Sequence, residues 1–455
     1  MQERLKIAAV GSGYVGTVVS ACFSKLGHEV VGVEVDLDKL AQLQAGIPPF
    51  WEGGLDDLLA EQVASGNLTF TDDMDAALAG TDIIFLCVGT PSGTDGHPDM
   101  SYVVNAARAI GGSLEGHNVI VTKSTVPIGS GMWLNATIDD ALADAASTAT
   151  FSVVSNPEFL REGSAIKDFM HPDRIVLGSD DPAAIDLVHR AYQPILDQTF
   201  EGGRPDVRPA MVHTGLVTAE TVKYAANAFL AAKISFINEI SQICERVGAD
   251  ITDVATAIGL DSRIGDKFLN AGIGWGGSCF GKDLDALAAI ARDYGLHPRM
   301  LDAVREVNRS QRHLIVEKLQ AELKTLRGRR VALLGLSFKP GTDDLRDAPA
   351  IDIASRLVQL GATVSAYDPV VKAFDEVPEV WIKDDVYAAV DRADAVVLIT
   401  EWPEFNDVDY ERVCSVMRGD YFLDGRNFLD PAKMLAAGLN YGSIGRLPAN
   451  TSQTF

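Results

Sequence analysis

Cysteine is scarce in this chain, and its spacing argues against two common structural roles. The 455 residues include five cysteines, an odd number, and no two of them form a CxxC pair. A disulfide framework or a zinc site is therefore not expected. Four of the five lie in apolar stretches and are predicted core residues: Cys22, Cys87, Cys244 and Cys414. The fifth, Cys279, is surrounded by glycines.

Positive charge and long apolar runs are also in short supply. The chain has 39 Lys and Arg against 63 Asp and Glu, a formal net charge of −24, which argues against nucleic acid or an anionic membrane as a partner. No stretch approaches the ~20 apolar residues of a membrane helix. The apolar start, Ile7–Val10, is broken by Gly11 without a signal-peptide cleavage pattern. We expect a cytosolic protein, whose acidic charge indicates either solubility or a salty habitat.

The beginning of the chain has the pattern of a dinucleotide-binding unit. It predicts a strand over Leu5–Val10 and a GxGxxG turn over Gly11–Gly16. A helix that ends at Leu26 and a second strand over Glu29–Val35 follow. Such a turn lets the pyrophosphate approach the helix N-terminus. Glu34 lies eighteen residues past Gly16, where a carboxylate accepts hydrogen bonds from the adenosine ribose and repels a 2′-phosphate. NAD is favoured over NADP, and a structural glycine turn is the alternative.

Three further buried strands are each followed by a polar turn. The predicted strands are Asp82–Val88, Val119–Thr122 and Phe151–Ser155, and the turns after them contain Gly89–Pro91, Lys123–Pro127 and Asn156–Gly163. In open parallel sheets, ligands bind at the carboxyl ends of the strands. Plain loop chemistry explains any one turn, but three in succession favour a binding edge.

The middle of the chain is predicted to be helical. A linker is expected over Thr199–Gly215, followed by a long helix from about Thr218 to Val247. An apolar stripe at three- and four-residue spacing supports this helix: Val222, Ala226, Phe229, Phe236, Ile240 and Val247. Lys223 and Asn227 are four residues apart and so share a helix face, either as solvated polar groups or as a half-buried pair.

The loop Ala271–Asp283 contains Cys279 among five glycines. An apolar run that predicts a helix begins at Leu284, and Lys282 lies three residues after the cysteine. A helix N-terminus and a nearby cation both favour thiolate over thiol. By itself, the loop fits an inert tight turn and a reactive cysteine equally well.

The last part of the chain repeats the layout of the first. Strand patterns at Val331–Gly335, Gly361–Asp368 and Ala393–Ile399 correspond to those of the first part, but Gly335–Pro340 replaces the GxGxxG turn and offers a lysine, which favours a mononucleotide. The predicted fold is α/β, with two Rossmann-like doubly wound parallel-sheet domains joined by a helical middle that contains one long central helix. The expected domains are 1–209 for NAD, 210–325 for the helical middle with the cysteine loop, and 326–455 for a mononucleotide.

Taken together, these motifs resemble the nucleotide-sugar dehydrogenases, the UDP-glucose/GDP-mannose dehydrogenase family. The matching stretches follow the family's order along the whole chain: Gly11–Gly16, Gly89–Pro91, Ser124–Pro127, Asn156–Gly163, Lys223–Asn227, Gly276–Phe280 with Lys282 and Asp283, Phe338–Pro340 and Asp424–Asn427. The resemblance implies a four-electron oxidation of a hexose primary alcohol to a carboxylate by two NAD⁺. Its UDP-glucose branch is favoured, with GDP-mannose or UDP-N-acetylmannosamine as the alternative substrate.

The resemblance also implies roles for individual residues. Cys279 would form a thiohemiacetal and then a thioester, while Lys223, Asn227 and Asp283 would hold water and the developing oxyanion. Glu158 would activate the hydrolytic water, with Thr125 helping to hold it. The expected cofactor contacts are Gly11, Gly13, Tyr14, Val15, Gly16, Glu34, Lys39, Thr90, Thr125, Glu162 and Arg346. The expected substrate contacts are Glu158, Phe159, Leu160, Lys223, Asn227, Arg263, Phe268, Gly276, Phe338, Lys339 and Arg426.

Arg263 resembles a residue that reaches the substrate of a neighbouring subunit, which implies at least a homodimer with the long helix as the dimer element. Two other classes of protein fit the sequence less well. A non-redox cysteine enzyme would need an activating histidine, and no histidine lies in an obvious motif. A catalytically silent sugar-nucleotide sensor would have no use for Cys279, Lys223, Asn227 and Asp283 together.

Overall fold

Short apolar runs build an eight-stranded sheet in the first part of the chain. The computed structural model describes residues 4–91, 93 and 96–447, in two units, Met1–Ala226 and Asn227–Phe455. The strands of the first unit are β1 (Lys6–Val10), β2 (Glu29–Val33), β3 (Leu68–Thr71), β4 (Ile83–Leu86), β5 (His117–Thr122), β6 (Thr150–Ser155), β7 (Arg174–Gly178) and β8 (Ala210–Thr214). Their order is β3-β2-β1-β4-β5-β6-β7-β8. The first six pair in parallel, while β7 and β8 run antiparallel to β6.

Helices cover both faces of this sheet. They are α1 (Tyr14–Lys25), α2 (Leu37–Gln44), α3 (Leu55–Ser65), α4 (Met74–Leu78), α5 (Ser101–Ser113), α6 (Ser130–Asp144), α7 (Ala165–Met170), α8 (Pro182–Ala191) and α9 (Gln193–Asp197). Successive strand residues point to opposite faces, so Phe85 joins the core cluster of Phe23 and Tyr192, whereas Ile84 joins that of Ile110. The predicted doubly wound arrangement is confirmed.

The five strands predicted in this unit are present, but the predicted linker Thr199–Gly215 is wrong in part because it contains β8. This strand lies at the sheet edge and none of its residues is buried, so it lacks the apolar run by which the other strands are recognised. Strands β3 and β7 were not predicted either.

One long helix, α10 (Leu216–Val247), contains the division between the two units, and its prediction is confirmed. Its buried residues include Ala231, Ile237 and Cys244. The apolar stripe that the sequence predicted is not the buried face of this helix, because none of the residues in the stripe is buried. Phe229 is 67% exposed and Phe236 is 53% exposed.

The second unit has three helices before its sheet, α11 (Ile251–Gly259), α12 (Phe280–Asp293) and α13 (Arg299–Leu323). The six parallel strands are β9 (Arg330–Leu334), β10 (Thr363–Tyr367), β11 (Trp381–Ile382), β12 (Ala395–Leu398), β13 (Tyr421–Asp424) and β14 (Asn440–Gly442). Between them lie α14 (Pro349–Gln359), α15 (Val386–Val390), a 3₁₀ helix (Pro403–Asp407), α16 (Tyr410–Val416) and α17 (Pro431–Ala436).

The order of this second sheet is β11-β10-β9-β12-β13-β14. It repeats the order of the first six strands of the other sheet, which confirms the predicted pair of related α/β halves. The three-part domain division stays a prediction. Three of the four cysteines predicted to be in the core are buried, but Cys414 is only half-buried and packs against the edge of a core cluster. None of the helices in the described ranges is long and apolar enough to cross a bilayer.

Candidate active site

The turn after β1 is shaped to receive a phosphate group. Gly11 has a positive φ of 95°, and a Cβ on Gly16 would lie 1.8 Å from the carbonyl oxygen of Gly11, so no larger residue fits there. Gly13 caps α1 without a side-chain hydrogen bond, and nothing lies within 4 Å of the place where its Cβ would be. The first N–H groups of α1 thus begin at an open cradle, which fits the pyrophosphate of NAD.

The acid predicted to bind the ribose lies directly after β2. Glu34 is buried, and its Oε1 accepts hydrogen bonds from the backbone N–H groups of Val35 (2.9 Å) and Asp36 (3.0 Å). These two bonds fix the carboxylate at the carboxyl edge of the sheet. Lys39 is exposed and pairs with Asp36 at 3.7 Å. Thr90 is buried just after β4.

Glu52 is a residue that the sequence analysis missed. Its Oε2 accepts hydrogen bonds from the Tyr14 hydroxyl (2.5 Å) and the Gly163 N–H (2.6 Å), and its Oε1 accepts one from the Ala165 N–H (2.9 Å). Burial, together with this carboxylate, raises the pKa of Tyr14 well above its usual value. Glu52 therefore ties the dinucleotide turn to the segment that contains Glu162.

A buried ion pair lies at the end of β6. The Lys223 ammonium group donates to Glu158 Oε1 and to the Glu158 carbonyl oxygen, each at 2.7 Å, and both side chains are buried. Glu158 Oε2 accepts a bond from the Leu160 N–H at 2.6 Å. Burial acts to raise the pKa of Glu158, but the charge and hydrogen bond of Lys223 outweigh it, so the pKa is lowered.

The same helix, α10, holds the loop that follows β5. The Tyr224 hydroxyl donates to the Val126 carbonyl oxygen at 3.0 Å, and the buried Glu220 carboxylate accepts from the N–H groups of Gly129 and Gly131 at 2.6 and 2.9 Å. Burial raises the pKa of Glu220 above its usual value. Thr125 and Lys223 line one cleft beside this loop.

Phe159 follows the catalytic candidate Glu158 and is covered by a cation. The Arg174 guanidinium lies over its ring, 3.6 Å from the centroid, and the Lys223 ammonium group is 5.6 Å from the same centroid. Phe159 and Leu160 are half-buried. Arg174 starts β7, a strand that was not predicted, so this stacking was not foreseeable from sequence.

In the second unit, Cys279 caps the N-terminus of α12, as predicted. It is half-buried, and its sulfur lies 3.5 Å from the Ser278 hydroxyl. The backbone N–H of Asp283 donates to the Cys279 carbonyl oxygen at 2.9 Å, so the thiol and the Asp283 carboxylate belong to one helical turn.

Asp283 is fully buried and only partly satisfied. The Asn227 amide donates to its Oδ2 at 2.6 Å. Its Oδ1 lies 3.1 Å from the Lys282 ammonium group but has no hydrogen-bond partner of suitable geometry. A buried carboxylate oxygen in this state can accept a hydrogen bond from a ligand.

Arg312, on α13, holds the backbone of the cysteine loop in place through hydrogen bonds. It donates to the Trp275 carbonyl oxygen at 2.7 Å and to Asp347 Oδ1 at 2.8 Å, and it pairs with Asp352 at 2.5 Å. Burial acts to lower the pKa of Arg312, but the two carboxylates more than compensate and the pKa is raised. Asn308 accepts from the Trp275 N–H at 2.8 Å. This support was not predicted.

Several predicted substrate residues meet at this loop. A Cβ on Gly277 would lie 2.7 Å from the Phe338 ring, so the glycine permits that contact. The Lys339 ammonium group is 5.3 Å from the Phe338 ring centroid. Arg426 donates to the Gly274 carbonyl oxygen at 3.0 Å.

The acid of the second half that corresponds to Glu34 has a different task. Asp368 is fully buried, and its Oδ2 accepts from the Leu336 N–H (2.7 Å) and the Trp402 indole (3.1 Å). Its Oδ1 accepts from the N–H groups of Val370 and Val371, both at 3.0 Å. Both oxygens are thus committed to the fold.

The side chains of three further predicted residues have partners nearby in the sequence, and the Arg346 carbonyl oxygen also accepts a hydrogen bond from the Gly277 N–H of the cysteine loop at 3.0 Å. Arg263 and Arg346 are exposed and pair with the acids two positions before them, Asp261 at 2.5 Å and Asp344 at 2.7 Å. Phe268 has a positive φ of 64° and lies 6.3 Å, between ring centroids, from Phe280. Their proposed ligand contacts stay predictions.

The models of one protein family match the chain in three parts. They are described as the UDP-glucose/GDP-mannose dehydrogenase family NAD binding domain (residues 5–196), central domain (217–310) and UDP binding domain (332–431).

Individual relatives match over nearly the whole chain. UDP-glucose 6-dehydrogenase TuaD of Bacillus subtilis is 46% identical over 446 residues, which are 97% of this chain and 93% of the relative. UDP-glucose 6-dehydrogenase of Rhizobium meliloti is 45% identical over 97% of this chain and 100% of its own length. The solved structure of a UDP-glucose dehydrogenase from Pyrobaculum islandicum is 38% identical, has a TM-score of 0.86 and covers 97% of this chain and 98% of its own.

Proposed function

Because the chain belongs to the UDP-glucose/GDP-mannose dehydrogenase family and is an NAD-dependent oxidoreductase, we propose that it oxidises UDP-glucose at C6 to UDP-glucuronate. The overall reaction converts one UDP-glucose, two NAD⁺ and one water into UDP-glucuronate, two NADH and three protons. When bound, NAD⁺ supplies the hydride acceptor for each of the two oxidations. The chain itself supplies the groups that move protons, form the covalent intermediate and activate water.

In the first oxidation, C6 loses a hydride and its hydroxyl loses a proton. Asn227 and Asp283 hold the water that takes this proton, since the amide orients one carboxylate oxygen at 2.6 Å and the other has no hydrogen-bond partner of its own. Lys223 stabilises the developing oxyanion, because an ammonium group in a buried site acts strongly on a nearby charge. The product of this step is the aldehyde.

In the second oxidation, Cys279 acts as the nucleophile. Its thiolate sulfur adds to the aldehyde carbon to give a thiohemiacetal, and loss of a second hydride from that carbon gives a thioester. Cys279 is suited to this role because it lies at the N-terminus of α12, where the helix dipole favours a negative sulfur.

Hydrolysis completes the reaction. Glu158 removes a proton from a water that Thr125 helps to hold, the resulting hydroxide adds to the thioester carbonyl, and the carbon–sulfur bond breaks to release the Cys279 thiolate. A carboxylate whose pKa is lowered is ionised at neutral pH and is available as a base.

One observation carries this proposal. The half-buried thiol of Cys279 and the fully buried carboxylate of Asp283 lie in one helical turn, and Asp283 Oδ1 faces the Lys282 ammonium group at 3.1 Å but accepts no hydrogen bond of suitable geometry. An inert cysteine turn has no need for a buried carboxylate with one oxygen that accepts no hydrogen bond. The relatives at 46% and 45% identity, both named UDP-glucose 6-dehydrogenase, support UDP-glucose over GDP-mannose.

The test is a stoichiometry measurement. The protein is incubated with NAD⁺ and, separately, UDP-glucose, GDP-mannose or UDP-N-acetylmannosamine, and reduced cofactor is counted per sugar consumed. Two per UDP-glucose, and little turnover of the others, is the expected result. One reduced cofactor per sugar consumed, or faster turnover of GDP-mannose or UDP-N-acetylmannosamine than of UDP-glucose, would overturn the proposed function.

A cysteine pair tests the covalent step. Cys279→Ser should lose formation of the acid from UDP-glucose, whereas the matched Cys414→Ser, which changes a half-buried cysteine on α16, should keep the wild-type rate. Intact-protein mass spectrometry of quenched wild-type enzyme should detect the sugar bound at Cys279. An active Cys279→Ser variant would refute the thioester.

We also propose at least a homodimer in which α10 contributes the contact and Arg263 reaches the substrate of the partner. The apolar side chains Phe229, Phe236 and Val247 are more than half exposed, and the Arg263 side chain is 87% exposed. Light scattering should give at least twice the monomer mass, and Phe236→Glu should reduce it. A fully active monomer would refute the proposal.

A further inference from the structure

A second buried lysine, Lys123, is hydrogen-bonded to the turn that leads to Glu158 and has no assigned role. It follows β5 directly and is 6% exposed. Its ammonium group donates to Asn156 Oδ1 at 2.9 Å and to the Tyr192 hydroxyl at 3.2 Å. Asn156 is itself fully buried and donates to the Val176 carbonyl oxygen at 2.9 Å, so Lys123 helps to fix the turn two residues before Glu158.

The burial of this cation is unusual. Within the described ranges, no carboxylate lies within ion-pair distance of its ammonium group. Burying an unpaired charge is costly, and the hydrogen bonds to an amide and a phenol offset only part of that cost. A neutral residue of similar size would support Asn156 at a lower cost, so the charge itself requires a reason.

We propose that Lys123 is a positioning residue whose positive charge keeps Glu158 ionised while Lys223 is engaged with the substrate oxyanion. The inference rests on the proposed role of Glu158 in hydrolysis and deepens it. Lys223 has two tasks that conflict: it neutralises Glu158, and it is needed at the oxyanion. Whenever Lys223 turns to the substrate, burial alone would favour protonation of Glu158 and remove the base.

The titratable groups around Lys123 are consistent with this role. They are Glu158, Lys223, Cys87 and Tyr192. Burial raises the pKa of the Cys87 thiol to about 12 and the pKa of Tyr192 well above its usual value, so both are neutral at working pH. Burial lowers the pKa of Lys123 to about 8, against the opposing charge of Glu158. Lys123 is therefore charged through the neutral range.

The test follows hydrolysis of the acyl-enzyme between pH 5 and 9 by rapid quench and mass spectrometry, with UDP-glucose and NAD⁺. In Lys123→Met, the acid limb of the hydrolysis rate should move to higher pH by about 0.5–1 unit, less than the 1–3 units of a cation in direct contact. The rates of variant and wild type should converge above pH 8, where Glu158 is ionised in both and Lys123 is neutral.

A matched control separates charge from packing. Tyr192→Phe removes a hydrogen-bond partner of Lys123 but keeps the charge, and it should keep the wild-type acid limb. If Lys123→Met does not fold, Lys123→Gln replaces it, because it keeps a donor toward Asn156 without the charge. An unshifted acid limb in the folded neutral variant, or a rate lowered equally at every pH, would overturn the inference.

Glu158→Gln distinguishes this inference from the proposal beneath it. Accumulated acyl-enzyme in Glu158→Gln, together with an unshifted limb in the Lys123 variant, refutes the role of Lys123 alone. No accumulation in Glu158→Gln refutes the role of Glu158 as base, and the inference about Lys123 falls with it.

Discussion

Replacing Lys223 by methionine removes the cation that neutralises a buried carboxylate. Methionine has a similar length and leaves little cavity, so the change isolates the charge. Glu158 would keep the Leu160 N–H as a donor but would lose two bonds of 2.7 Å from Lys223, one at its carboxylate and one at its carbonyl oxygen. The folded protein must then hold Glu158 either as an unpaired buried anion or in protonated form.

The magnitude follows from the burial of the pair, whose side chains are 5% and 7% exposed. Removing one partner of a buried pair costs about 3–5 kcal/mol. One kcal/mol moves the unfolding midpoint of a domain of 150–250 residues by about 2–4 °C, so we expect a decrease of about 6–20 °C near pH 7.5. The double variant Lys223→Met/Glu158→Gln should recover at least half of it, because the carboxylate that lost its ion-pair partner is replaced by a neutral amide.

The effect should depend on pH with a definite sign. In the wild type the pKa of Glu158 is lowered from about 4.5, so its ionised form stabilises the fold above pH 4.5, and this contribution is lost as the pH falls through the lowered pKa. In the Lys223 variant, burial raises the pKa of Glu158 because the positive charge that opposed this effect is gone. The destabilisation should therefore shrink as the pH falls toward 4.5. Calorimetry at several pH values measures both trends. A decrease under 2 °C at pH 7.5, or no recovery in the double variant, would refute the reasoning.

Three further changes test the supports of the site. Gly16→Ala places a Cβ 1.8 Å from the Gly11 carbonyl oxygen, so the turn must open and NAD affinity, measured by titration calorimetry, should fall more than tenfold. Glu52→Gln turns an acceptor of three hydrogen bonds into a group with one donor end; this should destabilise the fold by about 1–3 kcal/mol in thermal unfolding. Arg312→Met leaves a buried carbonyl oxygen without its donor and two partly exposed carboxylates without their cation, which should cost about 1–3 kcal/mol by the same measurement.

Each of these changes has a control in the same unit of the chain. Gly112→Ala alters an exposed glycine of α5 that has nothing within 4 Å of its Cβ position, and it should leave NAD affinity unchanged. Glu61→Gln and Arg309→Met alter exposed side chains on α3 and α13, and they should change stability by less than about 0.5 kcal/mol. NAD affinity within twofold of wild type for Gly16→Ala, or equal stability for Glu52→Gln or Arg312→Met and its control, would contradict the corresponding contact.

Apolar periodicity and glycine placement in the sequence predicted several strands and helices correctly. The strand before Gly11, the long helix α10 and the helix start at Cys279 were all predictable, because apolar periodicity and glycine placement specify them directly. Strand β8 was not, since an edge strand without buried residues has no apolar run.

The supporting residues of the site were beyond sequence reasoning for a different reason. Glu52 contacts residues 38 and 111–113 positions away, and Arg312 contacts Asp347 35 positions away. No spacing rule connects such residues, because their partners are set by the packing of whole elements. The stripe that contains Phe229 shows the complementary limit: periodicity identified the apolar face, but it did not indicate that the face is exposed.

The commitment of Asp368 to the fold has a consequence for redesign of the second half. Its carboxylate accepts hydrogen bonds on both oxygens from backbone and indole donors, whereas Glu34 in the first half accepts hydrogen bonds from the described residues at Oε1 only. Grafting a GxGxxG turn onto positions 335–340 would supply a phosphate cradle but no acid for the ribose. A second NAD site would also require releasing Asp368 and finding new acceptors for the donors it now satisfies. The two halves therefore share a strand order while being unable to exchange nucleotides through a turn replacement alone.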